Sequence, residues 1–185
     1  MTTTLQTSPA LERPDLLAEP VLAALRSWSV PSVPVTEVLV AEIDPELADT
    51  AEFCAAYGTT LDTSANCVVV AGRRGDETRY AACVVLATTR ADVNGLVRRR
   101  LSARKASFAP MDAAVESTGM EYGGITPVGL PADWPVLVDP AVLAAGRVVI
   151  GSGLRRSKLL VPGEVLAMLP NAEVSEGLGR PISTD

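Results

Sequence analysis

A glycine-rich segment, residues 118–129, is the part of the chain whose composition points most directly to chemistry. It reads TGMEYGGITPVG, with four glycines and one proline. Glycines let a ligand approach backbone amides closely, and Pro127 restricts the conformation of the loop. Such a loop can donate N–H groups to a carbonyl oxygen or to an oxyanion that develops during a reaction. The alternative interpretation is a tight structural turn between two core elements.

A second segment, residues 150–158, combines two glycines with a basic cluster and reads IGSGLRRSK. It lacks the third glycine of a dinucleotide-binding fingerprint and the Gly-Lys-Ser/Thr of a phosphate-binding P-loop, so the pattern disfavours an NAD or ATP site. The interpretation left open is a turn that offers arginine side chains to phosphate oxygens, which the guanidinium group suits.

The residue types that the chain lacks exclude several mechanisms. There is no histidine among the 185 residues, which excludes Ser-His-Asp and Cys-His catalysis and histidine metal ligands. The three cysteines, Cys54, Cys67 and Cys83, include no Cys-x-x-Cys pair. A disulfide framework and a zinc site are therefore disfavoured, and we expect reduced thiols, no metal and no cofactor.

The charge of the chain is unevenly distributed. The net charge is −6, yet 13 of the 16 lysines and arginines lie in residues 65–160. The negative total argues against broad nucleic-acid binding, and we expect no DNA partner. Seven aromatic residues in all argue against a stacking platform for single-stranded RNA. The basic residues form clusters that are either solvated surfaces or phosphate-binding sites: 73–74, 98–100, 104–105 and 155–158.

The elements that must position these residues form one domain of mixed α/β type. Asp44-Pro45-Glu46 is a strong helix start, with a capping carboxylate and a proline in the first turn. Irregular alternation of strands and helices favours a mixed sheet or a partly closed barrel. We predict helices over 15–28, 44–58, 92–101, 111–118 and 162–169, and strands over 35–40, 66–71, 79–88, 106–108, 136–138, 147–150 and 159–161.

From about residue 44 to 178 the chain resembles the YbaK / prolyl-tRNA synthetase associated domain family. The segments that carry the resemblance are 117–119, 123–129, 136–139, 149–153 and 159–161. The resemblance implies an α/β (α+β) fold, with a mixed-sheet, partly closed barrel of six to seven strands surrounded by helices. It divides the chain into residues 1–43 (a tail, a helix and a first strand), the editing domain 44–178 and a C-terminal tail 179–185.

The resemblance also implies an activity. Members of this family hydrolyse the ester between a wrong amino acid and the tRNA 3′ end, with a water activated largely by the substrate itself. We therefore expect a freestanding, cytoplasmic trans-editing deacylase for a small amino acid. Its partners would be the tRNA acceptor end and an aminoacyl-tRNA synthetase, with no membrane, since no apolar run reaches about 18 residues. The alternative is a catalytically weak module that binds tRNA or a synthetase.

The family pattern also assigns site residues, with two departures. Asn66 stands where the family usually has a lysine, and Lys158 stands where it often has an acid. We hypothesise that the ammonium group has moved from one wall of the pocket to the other; a surface role for Lys158 is the alternative. The assigned residues are Asn66, Gly123 and Gly124 for catalysis, Ile125, Thr126, Pro127, Gly129, Gly151, Gly153 and Lys158 for substrate binding, and Arg155 and Arg156 for tRNA binding.

Overall fold

A long β-hairpin forms the middle of the structure, a computed structural model that describes residues 4–182. Its strands are β3 (Ala65–Arg74) and β4 (Glu77–Leu86), paired antiparallel over their full length. Gly75 lies in the turn with a φ of 63°, the left-handed conformation that two-residue hairpin turns require. The predicted hairpin is confirmed; its first strand is longer than the predicted 66–71, and its second lies two residues earlier than the predicted 79–88.

The hairpin belongs to a five-stranded mixed sheet of order β10-β7-β4-β3-β6. β6 pairs antiparallel with β3, whereas β7 pairs parallel with both β4 and β10. The additional strands are short: β6 (Lys105–Phe108), β7 (Val136–Val138) and β10 (Ala172–Val174).

A second, antiparallel sheet has the order β1-β2-β9-β8, and a third joins β5 to β11. Only one bridge, Ser64 to Val149, connects the hairpin side with β8 in the described part of the chain. The ladder therefore does not continue around the molecule, residues 4–182 form no closed barrel, and the partly closed barrel is not confirmed. The strands are β1 (Thr7–Pro9), β2 (Leu39–Glu42), β5 (Thr89–Ala91), β8 (Arg147–Gly151), β9 (Ser157–Pro162) and β11 (Gly179–Pro181).

The helix predicted over 111–118 is confirmed with those bounds, whereas the other predicted helices are shorter than the sequence pattern indicated. Asp44 accepts a hydrogen bond from the Glu46 N–H, as a cap should, but the turn it starts is a 3₁₀ turn that ends at Leu47. A 3₁₀ helix, Gly163–Met168, replaces the α-helix predicted over 162–169. The α-helix predicted over 92–101 begins as a π-helical turn, Val93–Val97, and is α-helical only at Arg98–Arg100. The α-helices are α1 (Glu19–Arg26), α2 (Thr50–Tyr57), α3 (Arg98–Arg100), α4 (Met111–Thr118) and α5 (Pro140–Ala144).

The N-terminal segment is part of the main hydrophobic core. Val21, Leu22 and Leu25 of α1 pack in one cluster with Val84 of the hairpin and Leu159 of β9. The predicted strand 35–40 is a strand only from Leu39, because a 3₁₀ turn follows Pro34. The segment expected as a C-terminal tail begins with β11; residues 1–3 and 183–185, the ends of both expected tails, lie outside the described residues. No described helix combines the length and the apolar character needed to cross a membrane.

Candidate functional site

A cavity of about 470 Å³ opens where β6 and β8 diverge from β3. β6 pairs with β3 only from Val70 to Arg73, so on the edge of β3 away from β4 the stretch from Asn66 to Val68 faces the cavity instead of a second strand. β8 forms the opposite wall, and the start of α2 and the glycine-rich loop close the remaining sides. The cavity therefore lies at the interruption between the two larger sheets.

Asn66, half-buried near the start of β3, is one of the polar groups of this cavity. The Thr50 hydroxyl, at the first position of α2, donates a hydrogen bond of 2.8 Å to the Asn66 Oδ1. An amide carries two N–H donors besides its oxygen. With the oxygen engaged by Thr50, the amide nitrogen of Asn66 is the group that can donate to a ligand.

Lys158 is the cation of the cavity, and it is buried, with 8% of its surface exposed. Its Nζ donates to the Ala48 carbonyl oxygen at 2.8 Å and lies 5.6 Å from the centre of the Phe53 ring. Burial lowers the pKa of Lys158 below its ordinary 10.5, and the neighbouring Arg155 charge acts in the same direction. The surface role considered for Lys158 is wrong.

Two glycine turns support one wall of the cavity through direct backbone contact. The Glu121 N–H donates to the Gly153 carbonyl at 2.8 Å, and the Gly153 N–H donates to the Gly124 carbonyl at 2.7 Å. A Cβ on Gly151 would clash with the Gly124 oxygen, and a Cβ on Gly124 would lie 2.6 Å from the backbone of Leu154. Glycine is needed here because the two chains approach too closely for a side chain.

Arg155 lies at the rim of this wall rather than free in solvent. Its backbone N–H donates to the Glu121 carboxylate at 2.6 Å, and its Nη1 is 3.3 Å from the Asp49 carboxylate. A Cβ on Gly123 would clash with the same guanidinium group, so Arg155 covers that glycine. Arg156 points elsewhere: its Nη2 donates to the Asp15 carbonyl at 2.7 Å.

The structure brings some of the predicted site residues together and separates others. Gly129 and Gly153 pack against the segment that starts α1, and Thr126 is fully buried. The hydroxyl of Thr126 has no hydrogen-bond partner within residues 4–182. These residues, with Gly124 and Pro127, lie outside the cavity lining, whereas five predicted residues line it: Asn66, Gly123, Ile125, Gly151 and Lys158.

Sequence reasoning missed the residues that α2 and the cavity mouth contribute. Asp49, Thr50 and Phe53 line the cavity from the α2 side. Phe108, Met111 and Tyr122 also line it and are 61%, 56% and 58% exposed. Apolar residues in a sequence are assigned to the core by default, and only the structure distinguishes an exposed ring from a buried one. Partial apolar exposure of this kind is typical of a ligand-binding site.

The cysteines near the cavity are poor nucleophiles. Cys67 lines the cavity, and burial raises the pKa of its thiol. Burial also raises the pKa of Cys83, to about 12. Since the thiolate is the reactive form, neither is activated for attack. Within residues 4–182, no three His, Cys, Asp or Glu residues are grouped so as to hold a metal ion.

Comparison with known protein sequences identifies one matching family. The sequence model of the aminoacyl-tRNA editing domain matches residues 44–169. No protein of curated function has a sequence that matches this chain significantly.

Three solved structures have a similar fold. One is a candidate trans-editing enzyme for prolyl tRNA synthetase, with 22% identity and a TM-score of 0.69 over 86% of this chain and 94% of that chain. The second is a scaffold protein used for epitope backbone grafting by computational design, with 23% identity and a TM-score of 0.70 over 86% and 95%. The third is a hypothetical protein with 22% identity and a TM-score of 0.65 over 76% and 90%. At these identities the likeness establishes the fold alone.

Proposed function

The chain belongs to the aminoacyl-tRNA editing domain family, and on that premise we propose that it is a freestanding trans-editing deacylase. Its substrate is a mischarged tRNA that carries a small amino acid, and the reaction is hydrolysis of the ester at the tRNA 3′ end. The substrate is a species of the translation machinery, so the proposal includes a cytoplasmic location and an encounter with an aminoacyl-tRNA synthetase.

The observation that carries this proposal is the convergence of three kinds of donor on one cavity. Asn66 comes from β3, Lys158 from β9 and Gly123 from the glycine-rich loop. Ester hydrolysis builds negative charge on the carbonyl oxygen, and preorganised donors stabilise that charge most in a partly dry site. Lys158 brings its ammonium into such a site and holds one of its three donors on the Ala48 carbonyl.

The predicted site residues in and beside the cavity have distinct roles in the proposed reaction. Gly123 and the turn around it position the ester carbonyl, Asn66 contacts the terminal ribose or phosphate, and Lys158 supplies the positive charge that the family lysine would have supplied from β3. Gly124 and Gly153 act on the ligand indirectly, since they join the two turns that form the wall. No histidine is required where the substrate's own groups activate the water.

The size of the cavity supports a small amino acid. A volume of about 470 Å³ is at the lower end of ligand sites, which range over roughly 300–1,000 Å³, and here it must hold both the terminal ribose and the aminoacyl group. The apolar walls, formed by Val69, Ile125 and Val149, leave room for a short side chain such as that of alanine, serine or cysteine.

The test is deacylation of a panel of mischarged tRNAs that carry alanine, serine or cysteine. We expect the wild-type protein to hydrolyse at least one of them. Gly123→Val should abolish hydrolysis, because Gly123 has a φ of 84° that valine does not adopt and a side chain there would meet the Arg155 guanidinium. The thermal midpoint of the variant, measured in parallel, separates loss of function from loss of fold.

The catalytically weak binding module is the alternative outcome, and the absence of lysine at position 66 favours it. Salt-sensitive tRNA binding without hydrolysis on any substrate would support that alternative. Asn66→Lys distinguishes the two functions further. If the native chain only binds tRNA, the substitution should create deacylase activity. If Asn66 and Lys158 already act together in catalysis, the substitution should damage that activity.

A further inference from the structure

A second, strongly basic groove adjoins the cavity, with a volume of about 590 Å³. Arg73 of β3, Arg98 of α3, and Arg104 and Lys105 before and within β6 line it. No carboxylate lines this groove within the described residues, and none of the ion pairs found in residues 4–182 involves these four side chains. The groove is therefore a concentrated positive surface on a chain of net negative charge.

The arrangement of these cations is unfavourable for the protein alone. Arg73 and Lys105 are directly opposed in the register of β3 and β6, and like charges in that position destabilise a sheet. The Arg104 N–H donates to the Arg73 carbonyl at 2.9 Å, which keeps a third basic residue beside the pair. Local choices that oppose stability are found mainly where function requires them.

The groove and the cavity share one residue, Phe108, whose ring is 61% exposed. Along β6 the chain passes from Lys105 in the groove to Phe108 at the boundary and then to Ala109 in the cavity. Four strand residues span roughly 10 Å, about the length of three nucleotide steps in a stacked strand. An exposed aromatic ring next to cationic side chains is the usual platform for single-stranded nucleic acid.

We propose that this groove binds the phosphates of the tRNA 3′ strand, with Phe108 stacking on a base as the strand enters the cavity. The proposal rests on the proposed function, because it takes the aminoacylated tRNA 3′ end to occupy the cavity. It differs from the expectation that Arg155 and Arg156 bind tRNA. Arg155 is paired with Asp49 and Arg156 is bound to the Asp15 carbonyl, whereas the groove cations have no acidic partner among residues 4–182.

The test compares two double variants of equal charge. Arg104→Gln/Lys105→Gln removes two groove cations, and Arg26→Gln/Arg90→Gln removes two exposed cations that line neither the cavity nor the groove. The probe for binding is a fluorescent tRNA acceptor-stem minihelix with its single-stranded 3′ end, titrated at several salt concentrations. We expect the groove variant to bind several-fold more weakly, with a salt slope reduced by about 0.7–0.9 for each phosphate that the variant no longer neutralises. The control variant should bind as the wild-type protein does.

A second measurement separates this proposal from the proposed function. Hydrolysis of aminoacyl adenosine, which fills the cavity but does not reach the groove, should be the same in the wild-type protein and the groove variant. Hydrolysis of full tRNA should show a raised KM. If the wild-type protein hydrolyses neither substrate while the groove variant still loses minihelix binding, the deacylase proposal fails and the groove proposal stands.

The groove proposal is overturned if Arg104→Gln/Lys105→Gln retains the affinity and salt slope of the control variant. Arg73→Gln/Arg98→Gln provides an independent pair should the first variant have a lowered thermal midpoint. Phe108→Ala tests the stacking contact, and we expect it to weaken minihelix binding without changing the salt slope, since no charge is removed.

Discussion

At the scale of single residues, Lys158 has the most informative environment. Its burial lowers its pKa, so between the lowered value and 10.5 the unfolded chain binds more protons than the folded chain. The free energy of unfolding must then rise with pH across that interval, and below it the cost of burying the ammonium group is constant. Lys158 therefore stabilises the protein more, or costs it less, as the solution becomes alkaline.

The variant Lys158→Met provides the test of this linkage. We expect the wild-type protein to gain stability relative to Lys158→Met as the pH rises toward 10.5, by about 1.4 kcal/mol for each unit by which the pKa is lowered. Urea unfolding of both proteins at several pH values from 8 to 10.5 measures the difference. A stability difference that stays constant over this range would show that the lysine titrates normally in the folded protein.

Individual residues of the cavity were predictable where a family pattern surrounds them. Asn66, Gly123 and Lys158 lie in recognisable segments, and all three line one cavity. Thr50 and Phe53 were not predicted, because α2 carries no motif, and a helix that lines a cavity has the same composition as one that packs on a core. The low count of aromatic residues likewise does not indicate where those residues lie. Phe108 and Tyr122 are both exposed at the mouth of the cavity.

At the scale of elements, the contact between the two glycine turns is the most sensitive point of the site. Gly151→Ala places a methyl group against the carbonyl oxygens of Gly124 and Ile125, which belong to backbone and cannot move aside cheaply. We expect a loss of about 1–3 kcal/mol in the free energy of unfolding. Deacylation should be lost as well, because separation of the turns displaces Gly123.

Gly146→Ala is the matched control for this substitution. Gly146 also lies in a turn, with a φ of 76°, but a Cβ there meets no atom within 4 Å. We expect it to lose about 1–2 kcal/mol through left-handed strain alone and to keep its activity. Chemical unfolding and deacylation of both variants measure the two effects; equal activity in the two would contradict a role for the turn contact in the site.

The elements themselves were predictable to different degrees. Uninterrupted apolar runs, such as those of β3 and β4, predict strands well, because a strand that is buried on both faces needs an apolar residue at every position. Helix type was predicted poorly. Asp44 and Pro45 are strong helix-start signals, yet the structure has a 3₁₀ turn there, and the α-helix begins only at Thr50. Start signals indicate where a helical turn begins, but tertiary contacts determine how long it continues.

At the scale of the whole molecule, the segment before the matched family region is structurally inseparable from it. β2 lies between β1 and β9, and the Leu16 carbonyl accepts a 2.7 Å hydrogen bond from the buried Ser157 hydroxyl. The match to the family begins only at residue 44. The sequence comparison therefore suggests a domain boundary within what the structure shows to be one continuous hydrophobic core.

Deletion of residues 1–43 tests this dependence. We expect the truncated chain to lose cooperative thermal unfolding, because it exposes the edge of β9 and removes three buried α1 side chains, each worth roughly 1.5–3 kcal/mol. Deletion of residues 1–6, which leaves β1 in place, is the control and should melt near the wild-type temperature. Circular dichroism during heating measures both, and a stable 44–185 fragment would show that the segment is an independent appendage.

The interruption between β6 and β8 has a consequence for the colloidal behaviour of the protein. An uncovered strand edge is a template for association with other chains, and within residues 4–182 the stretch of β3 from Asn66 to Val68 has no strand on its cavity side, beside exposed Phe108 and Met111. On the proposed function, the opening that admits the tRNA 3′ end is also an edge to which a second copy of the empty protein can add a strand. A bound tRNA end would shield that edge. Without tRNA, mutual repulsion between negatively charged copies of the protein is what opposes their association.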